Sequence, residues 1–422
     1  MTHNETSPRV FRIRSLQILM WCTILFGLCC FLVASARDKS RKGPAVKIET
    51  GIDVLEAQHF APLRGKRVGL VTNQTGVDAT GRRTIDVLAK AEGVRLVAIF
   101  SPEHGIAASE DAAVVSNATD TTTGLPIYSL YRETRRPTDA MLQGIDAIVF
   151  DIQDVGVRFY TYVTTMAYCM EAAAKHHIPF FVLDRPNPLG GEIIEGPMLD
   201  SDKLSFVGYF PMPVRYAMTM GELAKMFNAE NKIGADLHVV EMRNWRRSEM
   251  YWMTGLPWIA PSPNLPTMTN LVPYPGIEIL QAGGVSVGRG TDSAFLEFGA
   301  PWIKPEELLA ELKRRSIARV SFEAQTFTPK TGPYAGEKCE GVGLTVADRD
   351  GFRSIQMGLE IAEALHKLYP QQFQIAKMIT LLGSQSTVER LERGDAPKAI
   401  VAGWDSDLAK FRAMRAKYLI YR

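Results

Sequence analysis

Short apolar runs of strand length recur through the first half of the chain, separated by stretches with helical periodicity, and this alternation restricts the fold more than any other feature. Strands are expected at 67–72, 94–100, 146–151 and 178–184, with a short one at 126–130. Helices are expected at 83–90, 138–143 and 162–175; the last carries Val163, Met166, Ala167, Met170 and Ala174 on one face. Near-continuous apolar strands are strands buried on both faces. Strands alternating with helices imply βαβ units, right-handed crossovers and a mainly parallel sheet, so the predicted class is α/β. The second half is less regular. It mixes helices (220–231, 304–315, 352–369, 387–393 and 406–418) with strands at 237–242, 320–329 and 340–347, which reads as a smaller α+β domain. A chain of 422 residues exceeds one ordinary core, and two domains are expected, 48–215 and 216–422.

The amino terminus stands apart. Arg9, Arg12 and Arg14 precede an apolar run over 16–33 that closes on Ala34-Ser35-Ala36, the pattern of an export signal cleaved after Ala36. The run approaches bilayer-spanning length, so an uncleaved membrane tether through 16–33 is the alternative. Either form of the 1–36 segment puts the remainder outside the cytoplasm, in the periplasm or beyond; 37–47 reads as a linker. Three of five cysteines (Cys22, Cys29, Cys30) fall in that segment, leaving Cys169 and Cys339, whose pairing the sequence leaves open. No zinc-type spacing of Cys and His occurs, and a net charge of +2 without a basic stripe gives no case for nucleic acid.

Four expected strands end in polar clusters, and in parallel α/β sheets the carboxyl ends of strands are where ligands bind. The clusters are Thr72-Asn73-Gln74-Thr75-Gly76, Ser101-Pro102-Glu103-His104-Gly105, the run from Asp151 through Asp154 and Arg158 to Tyr160 and Tyr162, and Asp184-Arg185-Pro186-Asn187. The first turn has no Gly-x-Gly-x-x-Gly and no phosphate loop, and no Gly-x-Ser-x-Gly elbow occurs, which removes the main support for a nucleotide site or a serine hydrolase. Amides, carboxylates, arginines and tyrosines together suit a carbohydrate. Glycoside hydrolysis needs two carboxyl groups, one to protonate the leaving oxygen and one opposite it. Glu103, beside Pro102 and an apolar strand, is the candidate acid; Asp154 and Asp151 are the candidate partners, with Glu195 behind them. Each also has a purely structural reading: Asp151 as a turn cap, Asp154 paired with Arg158, Asp184 with Arg185. In the second half, Pro261-Ser262-Pro263-Asn264 and the glycine-rich 283–292 with Arg289 are expected to line a cleft between the domains or to tie them rigidly together.

These segments resemble the NamZ-type exo-β-N-acetylmuramidases, peptidoglycan hydrolases formerly known as a domain of unknown function. The resemblance lies in 72–76, 100–105, Gly124-Leu-Pro-Ile-Tyr-Ser-Leu130, 150–162, Leu183-Asp-Arg-Pro-Asn-Pro-Leu-Gly-Gly191, Glu195-Gly-Pro-Met-Leu199 and Val287-Gly-Arg-Gly-Thr-Asp292, and spans about Val46 to the carboxyl end. It implies a Rossmann-like first domain, a cleft for one terminal sugar, no cofactor, and release of N-acetylmuramic acid from non-reducing glycan ends. It implies a catalytic role for Glu103, with peptidoglycan-derived glycans as the partner. Substrate contacts are expected from Asn73, Gln74, His104, Arg158, Tyr160, Tyr162, Asp184, Arg185, Asn187, Glu195, Asn264 and Arg289. Arg158 would clamp the lactyl carboxylate of muramic acid. The chain departs from the family pattern after Gly105, where no glycine stands near Glu110. Two other readings stay open, a non-catalytic sugar-binding module and an esterase or deacetylase of cell-wall sugars.

Overall fold

The computed structural model describes residue 1 and residues 47–107, 116–131 and 133–422; the export segment with Cys22, Cys29 and Cys30, most of the 37–47 linker and the loop at Glu110 lie outside the described residues. The apolar runs form β1 (Arg67–Thr72), β2 (Arg95–Ser101), β4 (Pro126–Ser129), β5 (Ala147–Asp151) and β6 (Phe180–Leu183), and the pair Ala118–Thr119 adds a short β3. After β6 the chain makes a separate hairpin, β7 (Glu195–Met198) with β8 (Pro213–Arg215), then returns to the sheet as β9 (Leu237–Val240). The order is β3-β4-β2-β1-β5-β6-β9, parallel throughout except for β3 against β4. From β1 the chain winds outward to β4, then crosses back to β5 on the other side. This reversal beside β1 is the topological switch point at which open α/β sheets bind ligands.

Successive residues of β1 serve two cores, as a two-residue side-chain period requires. Val68 and Leu70 pack with Ile99, Val149 and the helices α1 (Gly51–Ala57) and α2 (Thr84–Ala89) on one face. Val71 packs with Phe100, Phe150 and the helix α3 (Tyr162–Lys175) on the other. That second core continues without a break into the second half, as far as Phe411. Helix α4 (Met220–Glu230), capped by Thr219 and Glu222, packs on α3 and the sheet.

Beyond the boundary expected at 215, β9 pairs into this sheet and α4 packs on it. The helix expected at 138–143 is instead a series of turns, closed by Gly144 at φ 79° just before β5 begins.

In the second half, β10 (Glu297–Ala300), β11 (Val320–Phe327) and β12 (Cys339–Val346) form an antiparallel sheet in the order β10-β12-β11. Helix α6 (Pro305–Arg315) packs on this sheet, α5 (Tyr274–Ala282) and α7 (Ser354–Leu368) pack on one another, and α8 (Asp405–Arg415) packs against β7. Helices α5 and α7 touch backbone to backbone at Gly276 and Gly358. A Cβ on Gly276 would lie 1.7 Å from the Ser354 carbonyl oxygen, and one on Gly358 would lie 2.3 Å from that of Gly276. Cys169 and Cys339 are both buried free thiols.

The carboxyl end of the described chain folds back onto the first sheet. Tyr421 OH donates to Asp184 Oδ2 at 2.7 Å and accepts from Met242 N at 3.0 Å, and Ile420 N donates to Glu222 Oε1 at 2.9 Å. Arg247 adds Nη1 to the same Glu222 oxygen at 2.6 Å and its backbone N–H to Arg422 O at 2.9 Å.

Candidate active site

Proline halts β2 directly after Ser101, and the chain turns sharply through His104 at φ 68° and Gly105 at φ 76°. A non-glycine residue in the left-handed region is uncommon and costs energy, and such positions gather at functional sites. The turn presents Glu103, half-buried, to a cavity of about 360 Å³ at the carboxyl edge of the sheet, within the ~300–1,000 Å³ typical of small-molecule sites. Thr161 Oγ1, at the amino end of α3, donates to Glu103 Oε2. The lining also draws on Phe159, Tyr160, Ser262, Tyr274 and Phe295.

The aromatic wall is built edge to face. Tyr274 meets Phe295 at 4.7 Å and 68°, and Phe159 at 5.7 Å and 70°. Tyr160 meets Tyr162 at 4.8 Å and 78°. Burial raises the hydroxyls of Tyr160 and Tyr274 well above their ordinary ionisation range, so both remain neutral. Aromatic rings bordering a cavity suit the flat side of a sugar.

Helix α5 supplies the opposite chemistry. Tyr274, Glu278 and Gln281, at i, i+4 and i+7, share the face that borders the cavity. Glu278 Oε1 accepts from Arg289 Nη2 at 2.6 Å, and Gln281 Oε1 accepts from Arg289 Nε at 2.9 Å. Arg289 also stands 5.2 Å over the Phe295 ring. It is the one arginine among the described lining residues.

Of the expected site residues, Glu103, His104, Tyr160 and Arg289 line the cavity. Four more tie its loops together. Asn73 Nδ2 donates to Tyr162 OH at 2.9 Å, which donates to Pro261 O at 2.6 Å. Gln74 Nε2 donates to Ala260 O at 2.5 Å, and Asn264 Oδ1 accepts from Gly290 N at 2.8 Å. The 260–264 loop is therefore pinned to the end of β1 and also to the glycine-rich loop that bears Arg289.

The others are committed inside the protein. Asp151 is fully buried and bonded to Arg185 Nε at 2.6 Å, Arg185 Nη2 at 2.8 Å and Thr84 Oγ1 at 2.5 Å; this pair replaces the expected Asp184–Arg185 bridge. Asp184 accepts instead from Thr219, Gly221 and Tyr421, and burial still pushes it up to about 6. Asp154 does not pair with Arg158. It accepts from Gly156 N at 2.7 Å and from Tyr216 OH behind the tyrosine wall, and burial pushes it up to about 6. Asn187 shapes its own turn, accepting from Leu189 N at 3.0 Å and donating to Met218 O at 2.8 Å. Glu195 holds Arg215 at 3.0 Å and Gln356 N at 2.9 Å.

Arg158 is the clearest correction. It is 1% exposed, and its terminal nitrogens donate to four backbone carbonyls: Met212 and Pro197 at 2.8 and 3.2 Å, Leu381 and Leu382 at 2.7 and 2.8 Å. A guanidinium so occupied has no face left for a substrate carboxylate.

Two family models match the chain, exo-β-N-acetylmuramidase NamZ N-terminal over residues 68–269 and C-terminal over 272–421. The peptidoglycan β-N-acetylmuramidase NamZ of Bacillus subtilis is 42% identical over 402 residues, covering 94% of this chain and 97% of its own. Two crystal structures of DUF1343 family proteins from Bacteroides fragilis share the fold. One has a TM-score of 0.82 at 38% identity, over 90% of this chain and all of its own; the other has 0.72 at 31%, over 89% and 99%.

Proposed function

The chain belongs to the exo-β-N-acetylmuramidase NamZ family, and from that premise we propose that it releases N-acetylmuramic acid from the non-reducing ends of peptidoglycan fragments with Glu103 as proton donor. One observation carries the reading: Glu103 faces a cavity that also holds an aromatic wall and Arg289. A sugar ring stacks on the first, and a carboxylated sugar needs the second. Arg289 thereby takes the task first assigned to Arg158, meeting the lactyl carboxylate that distinguishes muramic acid from glucosamine. The export pattern of the amino-terminal segment fits an enzyme whose substrate lies outside the cytoplasm.

A positioned general acid contributes about 10²–10⁴-fold to rate. Glu103→Gln is therefore expected to lose about that much kcat on a β-linked muramic acid–glucosamine disaccharide, with fold and product binding kept. Turnover near the wild-type rate would remove Glu103 from the chemistry. Binding without turnover by the wild-type protein at any pH would indicate a sugar-binding module. Arg289→Met is expected to raise KM for muramides, because uniform binding is lost; an unchanged KM would leave the carboxylate without its receptor.

A further inference from the structure

A glycosidase needs two carboxyl groups at the scissile bond, and the two expected as partners of Glu103 are both committed elsewhere, Asp151 to Arg185 and Asp154 to Tyr216. The cavity nevertheless holds a second carboxylate. Glu278 lies on α5, is 7% exposed, and lines the same cavity as Glu103. We propose that Glu278 is the second catalytic carboxylate, the base that activates water against the anomeric carbon. This rests on the glycosidase reading above.

The surroundings divide the two roles. Glu103 accepts from a neutral hydroxyl, that of Thr161. Glu278 accepts from the Arg289 guanidinium at 2.6 Å, and a fixed positive charge favours the ionised form that a base requires. Unlike partners on paired carboxylates are how one site runs acid and base chemistry together. In the step itself, Glu103 gives its proton to the glycosidic oxygen as the C1–O bond breaks and that bond's electron pair leaves with the aglycone. The water oxygen forms the new bond to C1 and its proton passes to Glu278. The site ends with Glu103 ionised and Glu278 protonated, and one proton exchange with solvent restores it.

Helix α5 suits this task because it is closely packed. Gly276 seats it backbone to backbone against α7, and Ile277, Ile279 and Leu280 are fully buried, so the carboxylate that borders the cavity sits on a firmly packed helix.

The test uses leaving groups. An aryl muramide with a nitrophenolate leaving group needs little help from an acid, whereas the natural disaccharide needs much. Glu103→Gln should therefore lose far more on the disaccharide than on the aryl glycoside. Glu278→Gln should lose at least ~10²-fold in kcat on both, with KM nearly unchanged. Retention of kcat on both substrates would overturn the proposal. So would a loss confined to KM and matched by Arg289→Met, since that pattern marks a counter-ion that only steadies the arginine. Should Glu278→Gln fail to fold, Glu278→Asp is read instead: it keeps the charge beside Arg289 but withdraws the carboxylate by one methylene. A fall in kcat on both substrates then supports the role, and an unchanged kcat overturns it. A wild-type protein inactive on both substrates would sink the glycosidase reading itself, whereas an active wild type with an active Glu278→Gln sinks this inference alone.

Discussion

Replacing Arg158 by methionine separates a structural arginine from a substrate clamp, because the two roles fail in different measurements. Its four hydrogen bonds join the β7–β8 region, at Pro197 and Met212, to the Leu381–Leu382 turn. Bonds from a charged donor contribute about 1.5–3 kcal/mol each, against a cost of several kcal/mol for burying the ion. Burial lowers the guanidinium to about 9, which leaves it charged at neutral pH with the carbonyls bearing that charge. Methionine fills the stem's volume but takes a donor from each of four carbonyl oxygens, of which Met212 O keeps its bond from Leu199 N at 3.2 Å, and breaking a buried charged network typically costs about 3–5 kcal/mol. Urea unfolding followed by tryptophan fluorescence should show a loss in that range. At temperatures where the variant is folded, KM for a muramide should stay near wild type. A stability loss under ~1 kcal/mol together with a tenfold rise in KM would refute the reasoning and return Arg158 to the substrate.

Tyr421→Phe removes a donor from buried Asp184 and an acceptor from Met242 N; urea unfolding is expected to show a loss of about 2–4 kcal/mol, and a neutral result would mean that water replaces the hydroxyl. Asp184 also sets a pH dependence. Its folded value of about 6 lies above its ordinary 3.8, so between these values the folded state holds a proton that the unfolded state has released, and stability falls as pH rises. Asp184→Asn cannot ionise, so its stability relative to wild type should improve by about 3 kcal/mol between pH 4 and 7; parallel pH profiles would refute the assignment.

The principal sheet was legible because its strands are fully apolar and end abruptly, as β2 does at Ser101-Pro102. The position of Glu103 was legible for the same reason: the break that ends the strand places it just past the sheet edge. Helix α5 was not. No helix was expected there, yet Pro275 sits in the first turn, where its missing N–H costs nothing, and Gly276 makes the contact with α7. Once the helix is granted, the spacing of Tyr274, Glu278 and Gln281 places all three on one face, and that was the signal available for the second carboxylate. Arg158 misled because composition near a strand end does not reveal burial. An arginine aimed at substrate and one aimed at four carbonyls look alike in one dimension.

The return of residues 420–421 to the first sheet bears on how the protein reaches its folded state. Asp184 waits for a hydroxyl 237 positions further along, and Glu222 for an amide 198 positions away. A fragment stopping near residue 269, where the first family model ends, would leave both carboxylates buried and short of donors. The two matched halves therefore share hydrogen bonds across the boundary between the family models. Contacts of such sequence separation are of the kind that slows folding. A half-length product would persist as a sticky, unfinished sheet, exposed to proteolysis until the remainder arrives.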